Sequence, residues 1–222
     1  MVSSTFKPSS QQLLCLGLRG CNMGTAGRWI ALALVLCGTA DPVQAQTSSV
    51  MHFFAGAALG LGLHESGHLV FDVAFDSHPG VRKVSAGFIP FFAITHEPVT
   101  SIEEFTISSA GFWVQHAGNE FLLSRRPDLR GEHAPVAKGL FAFNVLTSVM
   151  YAGAAFARSG PVERDTRGMA VAADIDEPWI GATILAPALL DGARYYRPHS
   201  RTLRWASRGV KIAGALLVLK AR

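Results

Sequence analysis

Apolar residues fall along this chain in long runs separated by short polar clusters, and the runs set the expected elements. Val50 to Phe75 has the roughly 20 to 25 residues that cross a bilayer as a helix, and it closes at the turn cluster Asp76-Ser-His-Pro-Gly80. Phe105 to Leu123 is a second such helix, opened by Ser101-Ile-Glu-Glu104, which reads as a capping box with acids in the first turn. Gly139 to Ala157 is a third and Trp179 to Tyr196 a fourth, the latter interrupted by Pro187. Val210 to Leu219 is shorter and flanked by Lys211 and Lys220, as in an interfacial helix or a partial span. Val84 to Ile94 is too short to span as a helix. Its Gly87, Pro90, β-branched and aromatic residues predict a short strand or a re-entrant hairpin, which at membrane depth needs protein or a cavity around it. The pattern predicts an all-α polytopic membrane protein: a bundle of about four to five membrane helices with a strand or re-entrant hairpin at 84–94, forming one domain over residues 47–222.

Residues 1–46 read as a signal peptide. Arg28 precedes the apolar run Trp29 to Cys37, and Val43-Gln-Ala45 offers small residues where a signal peptidase reads. Met23 is an alternative start with an ordinary n-region, and an uncleaved signal anchor is the competing reading. Composition agrees with a membrane protein, at 49% hydrophobic and 16% charged residues. The net charge of +4 does not point to nucleic acid, because the basic residues cluster between apolar runs as membrane-flanking residues do. Arg125, Arg126, Arg130 and Lys138, and later Arg194 to Arg208, mark cytoplasmic sides, so a multi-pass protein of the bacterial inner membrane is expected. Cys15, Cys21 and Cys37 all lie in the first 40 residues, so any zinc in the body of the chain must use histidine and carboxylate.

The chemistry concentrates at His64-Glu65-Ser66-Gly67-His68, set in an apolar segment. On a helix His64 and His68 share a face and can grip one zinc ion, leaving Glu65 as general base on a water held there. His52, Gly56, Gly60, His64, His68 and Asp72 follow at intervals of four, an inward stripe whose glycines admit a neighbouring helix. A catalytic zinc site takes three protein ligands, and Asp72, His116, Glu120 and Asp191 are candidates for the third. Asp72 lies about 12 Å along the axis from His64, too far for a shared ion, which leaves it a supporting role. Glu120 follows Asn119 as in thermolysin-like proteases, yet sits one turn from Arg125 and Arg126, where a salt-bridged carboxylate is ordinary. Asp191 lies in an apolar segment after Pro187 with Gly192 beside it, where an unpaired carboxylate is costly without a cation; its competing reading is a helix-ending aspartate paired with Arg194.

With His64, Glu65 and His68 on one membrane-grade helix and Leu190-Asp191-Gly192 on a later one, the chain resembles the site-2 family of intramembrane zinc metalloproteases. That resemblance implies Zn2+ held by His64, His68 and Asp191, with Glu65 catalytic. It also implies hydrolysis of a peptide bond of a membrane protein or peptide substrate in or near the lipid bilayer. Zinc would polarise the carbonyl and lower the pKa of its water to about 7. A strand-like 84–94 segment would hold the unwound substrate by edge pairing. The rival class is a non-catalytic metal-binding or structural multi-pass protein, in which the same polar groups only knit helices together.

Overall fold

The computed structural model describes residues 43–86 and 89–220, with side chains over 47–84 and 92–216. The signal peptide expected at 1–46 lies outside the described residues except for its last four, which open the first helix. Six helices and one hairpin follow in the order α1 (Val43–Ala74), β1 (Gly80–Ala86), β2 (Ile89–Thr95), α2 (Ser101–Arg125), α3 (Pro135–Ala157), α4 (Asp165–Ala173), α5 (Glu177–Tyr196) and α6 (Arg201–Lys220). The protein is therefore mostly helical with a small sheet rather than all-α. The hairpin answers the question left open at 84–94: β1 and β2 pair antiparallel from Gly80 opposite Thr95 to Ala86 opposite Ile89.

Local chemistry accounts for the ends. α1 stops where Ser77 folds back, its backbone N–H donating to the Asp72 carbonyl at 2.9 Å and its hydroxyl to the Asp72 carboxylate at 2.6 Å. α2 opens with a capping box one residue earlier than expected. Glu103 N–H donates to the Thr100 hydroxyl, and the Thr100 N–H donates to the Glu103 carboxylate at 2.9 Å. Pro135 starts α3 at a position where its missing N–H costs nothing. α4 and the first half of α6 lie outside the expected elements, while Val210 to Leu219 falls within α6. The Arg-rich half of α6 looks like a membrane flank, and α4, at nine residues, is shorter than the window in which periodicity becomes visible.

Small residues set the packing. A Cβ on Gly139 of α3 would fall inside the carbonyl of Phe53 on α1, and one on Gly56 inside the carbonyl of Val136. The two helices thus meet backbone to backbone there. Gly139→Ala is expected to unseat α1 and lower the unfolding temperature in detergent by several degrees, as overpacking costs roughly 1–3 kcal/mol. Gly153→Ala on the same helix, with open space around it, should hold or raise it; equal shifts for both would contradict this packing. Two apolar cores form among the described residues. Phe112, Met169, Ala170, Ile180 and Ile184 join α2, α4 and α5, and Leu123, Leu129 and Phe141 gather near Tyr195, which stacks on Phe141.

By length and composition, one described helix, α3, is apolar enough to cross a membrane, short of the four to five expected. The reason is visible in the sequences of the others. α1, α2 and α5 carry glycine, histidine, glutamine, asparagine and aspartate on their inner faces, and α6 carries arginine and lysine, which lowers their mean hydropathy.

Candidate metal centre

The inward stripe on α1 holds from Gly56 through Gly60, His64 and His68 to Asp72, all buried, whereas His52 at its head is exposed and donates to the Ser48 carbonyl at 2.6 Å. A four-residue step overshoots the 3.6-residue turn by about 40°, so a long stripe must rotate off its seam at one end. Opposite His64 and His68 stands the middle of α2, brought close by glycine on both sides. A Cβ on Gly67 would lie 2.9 Å from the Ala110 carbonyl, and one on Gly111 would press on the His64 ring at 2.5 to 2.7 Å.

The two imidazoles meet a third group that no sequence reading had selected. His64 Nε2 and His68 Nε2 are 3.2 Å apart, and Asp165 Oδ2 lies 3.3 Å from the first and 3.6 Å from the second. Asp165 is the first residue of α4, 101 positions beyond His64. These three are the only grouping of metal-type ligands among the described residues. Their spacing fits one ion: ligands about 2.05 Å from a tetrahedral metal stand about 3.3 Å from each other. Proton placement agrees. His68 Nδ1 is 2.7 Å from the Ile107 carbonyl, which can only accept, so Nδ1 carries a hydrogen and Nε2 is the atom that faces His64 and Asp165. Two imidazole nitrogens and a carboxylate oxygen this close need a cation among them, either a proton on a ring nitrogen or a metal. Asp165 shows the same demand: burial works to raise its pKa, but His68 and His64 together hold it well below the ordinary carboxylate range.

The walls of the site are aromatic. Phe112 meets the His64 ring edge-on at 5.4 Å, and Tyr151 of α3 lies 6.1 Å from it and 5.2 Å from Phe112. Glu65, half-buried, follows His64 on α1 and is not one of the three clustered donors.

The other candidates sit elsewhere. Asp191, expected as the third ligand, is fully buried, and its Oδ1 accepts from Ser207 and Lys211 of α6, each at 2.7 Å, with Arg194 at 3.7 Å. Its reading as a helix-end aspartate paired with Arg194 therefore describes its surroundings better, with Lys211 as the nearer cation. Glu120 is bound by Arg194, Arg208 and Lys211, the salt-bridged state foreseen for it, though the partners come from α5 and α6 and not from the adjacent loop. Asp72 accepts from Ser77 and serves the end of α1. His116 is buried against Trp113, with no hydrogen-bond partner at Nδ1.

Asp165 escaped because an acidic residue opening a helix is ordinary dipole and capping chemistry. Nothing in the run Arg164-Asp165-Thr166 sets it apart in sequence from a surface helix start; Thr166 and the Arg164 side chain are shielded only by the fold. Comparison of the chain with protein-family models, with curated proteins and with solved structures finds no match.

Proposed function

We propose that this chain is a zinc-dependent endopeptidase that hydrolyses a peptide bond in or against a lipid bilayer, with His64, His68 and Asp165 as ligands and Glu65 as general base. The observation that carries the reading is the convergence of two imidazole nitrogens and a carboxylate oxygen within 3.6 Å, with a glutamate adjoining one ligand on the same helix. Zinc held there would polarise the scissile carbonyl and acidify water. Glu65 then takes the proton of the attacking water as the new carbon–oxygen bond forms, and gives it to the nitrogen as the carbon–nitrogen bond breaks. Tyr151 and Phe112 keep bulk water from the imidazoles. β1 and β2 pair only with each other among the described residues, so an outer edge remains for an extended substrate segment to join.

Burial supports the membrane half of the proposal better than hydropathy does, because α1, α3 and α6 turn polar side chains inward and large apolar ones outward. His64, His68, Asp72, Gln115, Asn119, Asn144 and Ser148 are buried, while Phe54, Val70, Val73, Met150 and Phe156 on α1 and α3 are exposed. On α6 Trp205, Ile212 and Leu216 face outward, and Ser207 and Lys211 turn inward to Asp191. In water that arrangement exposes the apolar surface that folding normally buries; in hydrocarbon it satisfies both faces.

The test is metal analysis of the full chain in detergent, followed by cleavage of a single-span substrate in liposomes. About one zinc per chain is expected, with near-zero zinc in His64→Ala and in His68→Ala, and cleavage that stops with chelator and returns with zinc. Equal zinc in all three proteins would sink the proposal, and zinc binding without any cleavage would favour a non-catalytic metal protein.

A further inference from the structure

The ligand at Asp165 stands on the least substantial helix in the fold, yet a metal ligand must sit within about 0.2 Å of its place. A nine-residue helix is marginal by itself, and the N-cap of α4, Arg164, makes no side-chain capping bond. Something else must fix the start of α4. Arg164 and Thr166, the two neighbours of Asp165, both reach the carboxylate of Glu177, the first residue of α5. Arg164 Nε donates to Oε1 at 2.7 Å and Nη2 to Oε2 at 2.6 Å, a bidentate fork, while the Thr166 hydroxyl donates to Oε1 at 2.7 Å. The arrangement is buried: Arg164 and Glu177 side chains are each 9% exposed and Thr166 is 0% exposed. Arg164 Nη1 also donates to the Pro161 carbonyl at 2.9 Å, which ties the incoming loop to the same point.

We propose that Glu177 is a positioning residue for the metal site, a clamp that grips the residues on both sides of Asp165 and so aims its carboxylate at His64 and His68. This rests on the zinc reading given above. The clamp takes its reference from the rest of the bundle. Gly181, one turn after Glu177, lets α5 pack against Ala152 and Ala155 of α3, and Gly168 lets α4 close on Ser108 of α2. α2 also supplies the Ile107 carbonyl that orients His68. One carboxylate thereby places the third ligand relative to α2 and α3, the helices that pack against the one carrying the first two. Glu177 does not approach the ion; it acts through Arg164 and Thr166.

A buried ion pair could serve stability alone, and the two roles separate in one experiment. The full chain in detergent is stripped with chelator, zinc affinity is measured by competition with a fluorescent zinc indicator, and the unfolding temperature of each zinc-free protein is recorded. Glu177→Gln and Thr166→Val are expected to bind zinc about 10- to 100-fold more weakly, the usual consequence of removing a group that orients a ligand. Thr166→Ser, which keeps the hydroxyl, should bind as the wild type does. So should Asp176→Asn, which breaks the exposed Arg158–Asp176 pair next to the clamp. Thr166→Val removes only one hydrogen bond, so it remains informative if Glu177→Gln does not fold. Wild-type zinc affinity in both Glu177→Gln and Thr166→Val, with Asp165→Ala unable to bind, overturns the clamp and leaves the metal site standing. A wild type that binds no zinc overturns both.

Discussion

Glu65→Gln is expected to keep its zinc and to lose cleavage by about 10²- to 10⁴-fold, the contribution usual for a positioned general base. Glutamine has nearly the shape of glutamate, so the packing of α1 should be undisturbed. It cannot take a proton from water. The metal should stay because the three converging donors are His64, His68 and Asp165, and Glu65 is none of them. The position of Glu65 explains the division of labour. Residues 64 and 68 lie on the seam that faces α2, while residue 65 is turned about 100° round the helix and is half-buried at the margin of the cluster, where a water and a substrate could both reach it. Zinc content by atomic absorption and single-turnover cleavage in liposomes check the two halves separately. Cleavage near the wild-type rate would remove Glu65 as the base; loss of both zinc and activity would mean that it holds the metal.

What the sequence reveals of this site follows the range over which each signal acts. His64 and His68 lie about one turn apart on one helix, so spacing alone gives the two histidines a common face with Glu65 beside it, and the glycine stripe gives the side on which α2 and α3 approach. The hairpin was foreseeable from Gly87 and Pro90 amid β-branched and aromatic residues, and the four long apolar runs mark α1, α2, α3 and α5 to within several residues. The third member of the cluster, Asp165, is of another kind. Its place depends on the fold of the chain across a sequence separation of 101, and locally Asp165 resembles any acid at a helix start. Leu190-Asp191-Gly192 misled for a related reason. An aspartate in an apolar run does need a cation, and the sequence cannot show that Lys211, twenty residues away on a helix itself obscured by its charges, supplies it. The same inward-turned polar groups dilute the hydropathy of helices whose outer faces are apolar, which is why composition and burial give different impressions of how apolar the outer surface is.

Asp165→Ala should abolish zinc binding while Asp191→Ala leaves it at about one per chain, although the second substitution is expected to harm the fold more. Asp165 contributes one of three donor atoms spaced as a tetrahedral ion requires, and its removal leaves two imidazoles, too few for a catalytic zinc site. Asp191 has a different task. It is fully buried against Lys211, 10% exposed, and Arg194, 6% exposed, so deleting it leaves those cations with Glu120 as the carboxylate that still binds both. Removing one partner of a buried pair costs on the order of 3–5 kcal/mol, because the other charge stays desolvated. Zinc content and denaturant midpoint, measured on the same preparations, therefore move in opposite ways: zinc falls for Asp165→Ala with a modest change in midpoint, and the midpoint falls for Asp191→Ala with zinc retained. If Asp191→Ala bound no zinc while remaining folded, and Asp165→Ala bound it normally, the ligand set would be that of the Leu-Asp-Gly motif. The contact of Asp165 with the two histidines would then be a protonated ion pair and no metal site.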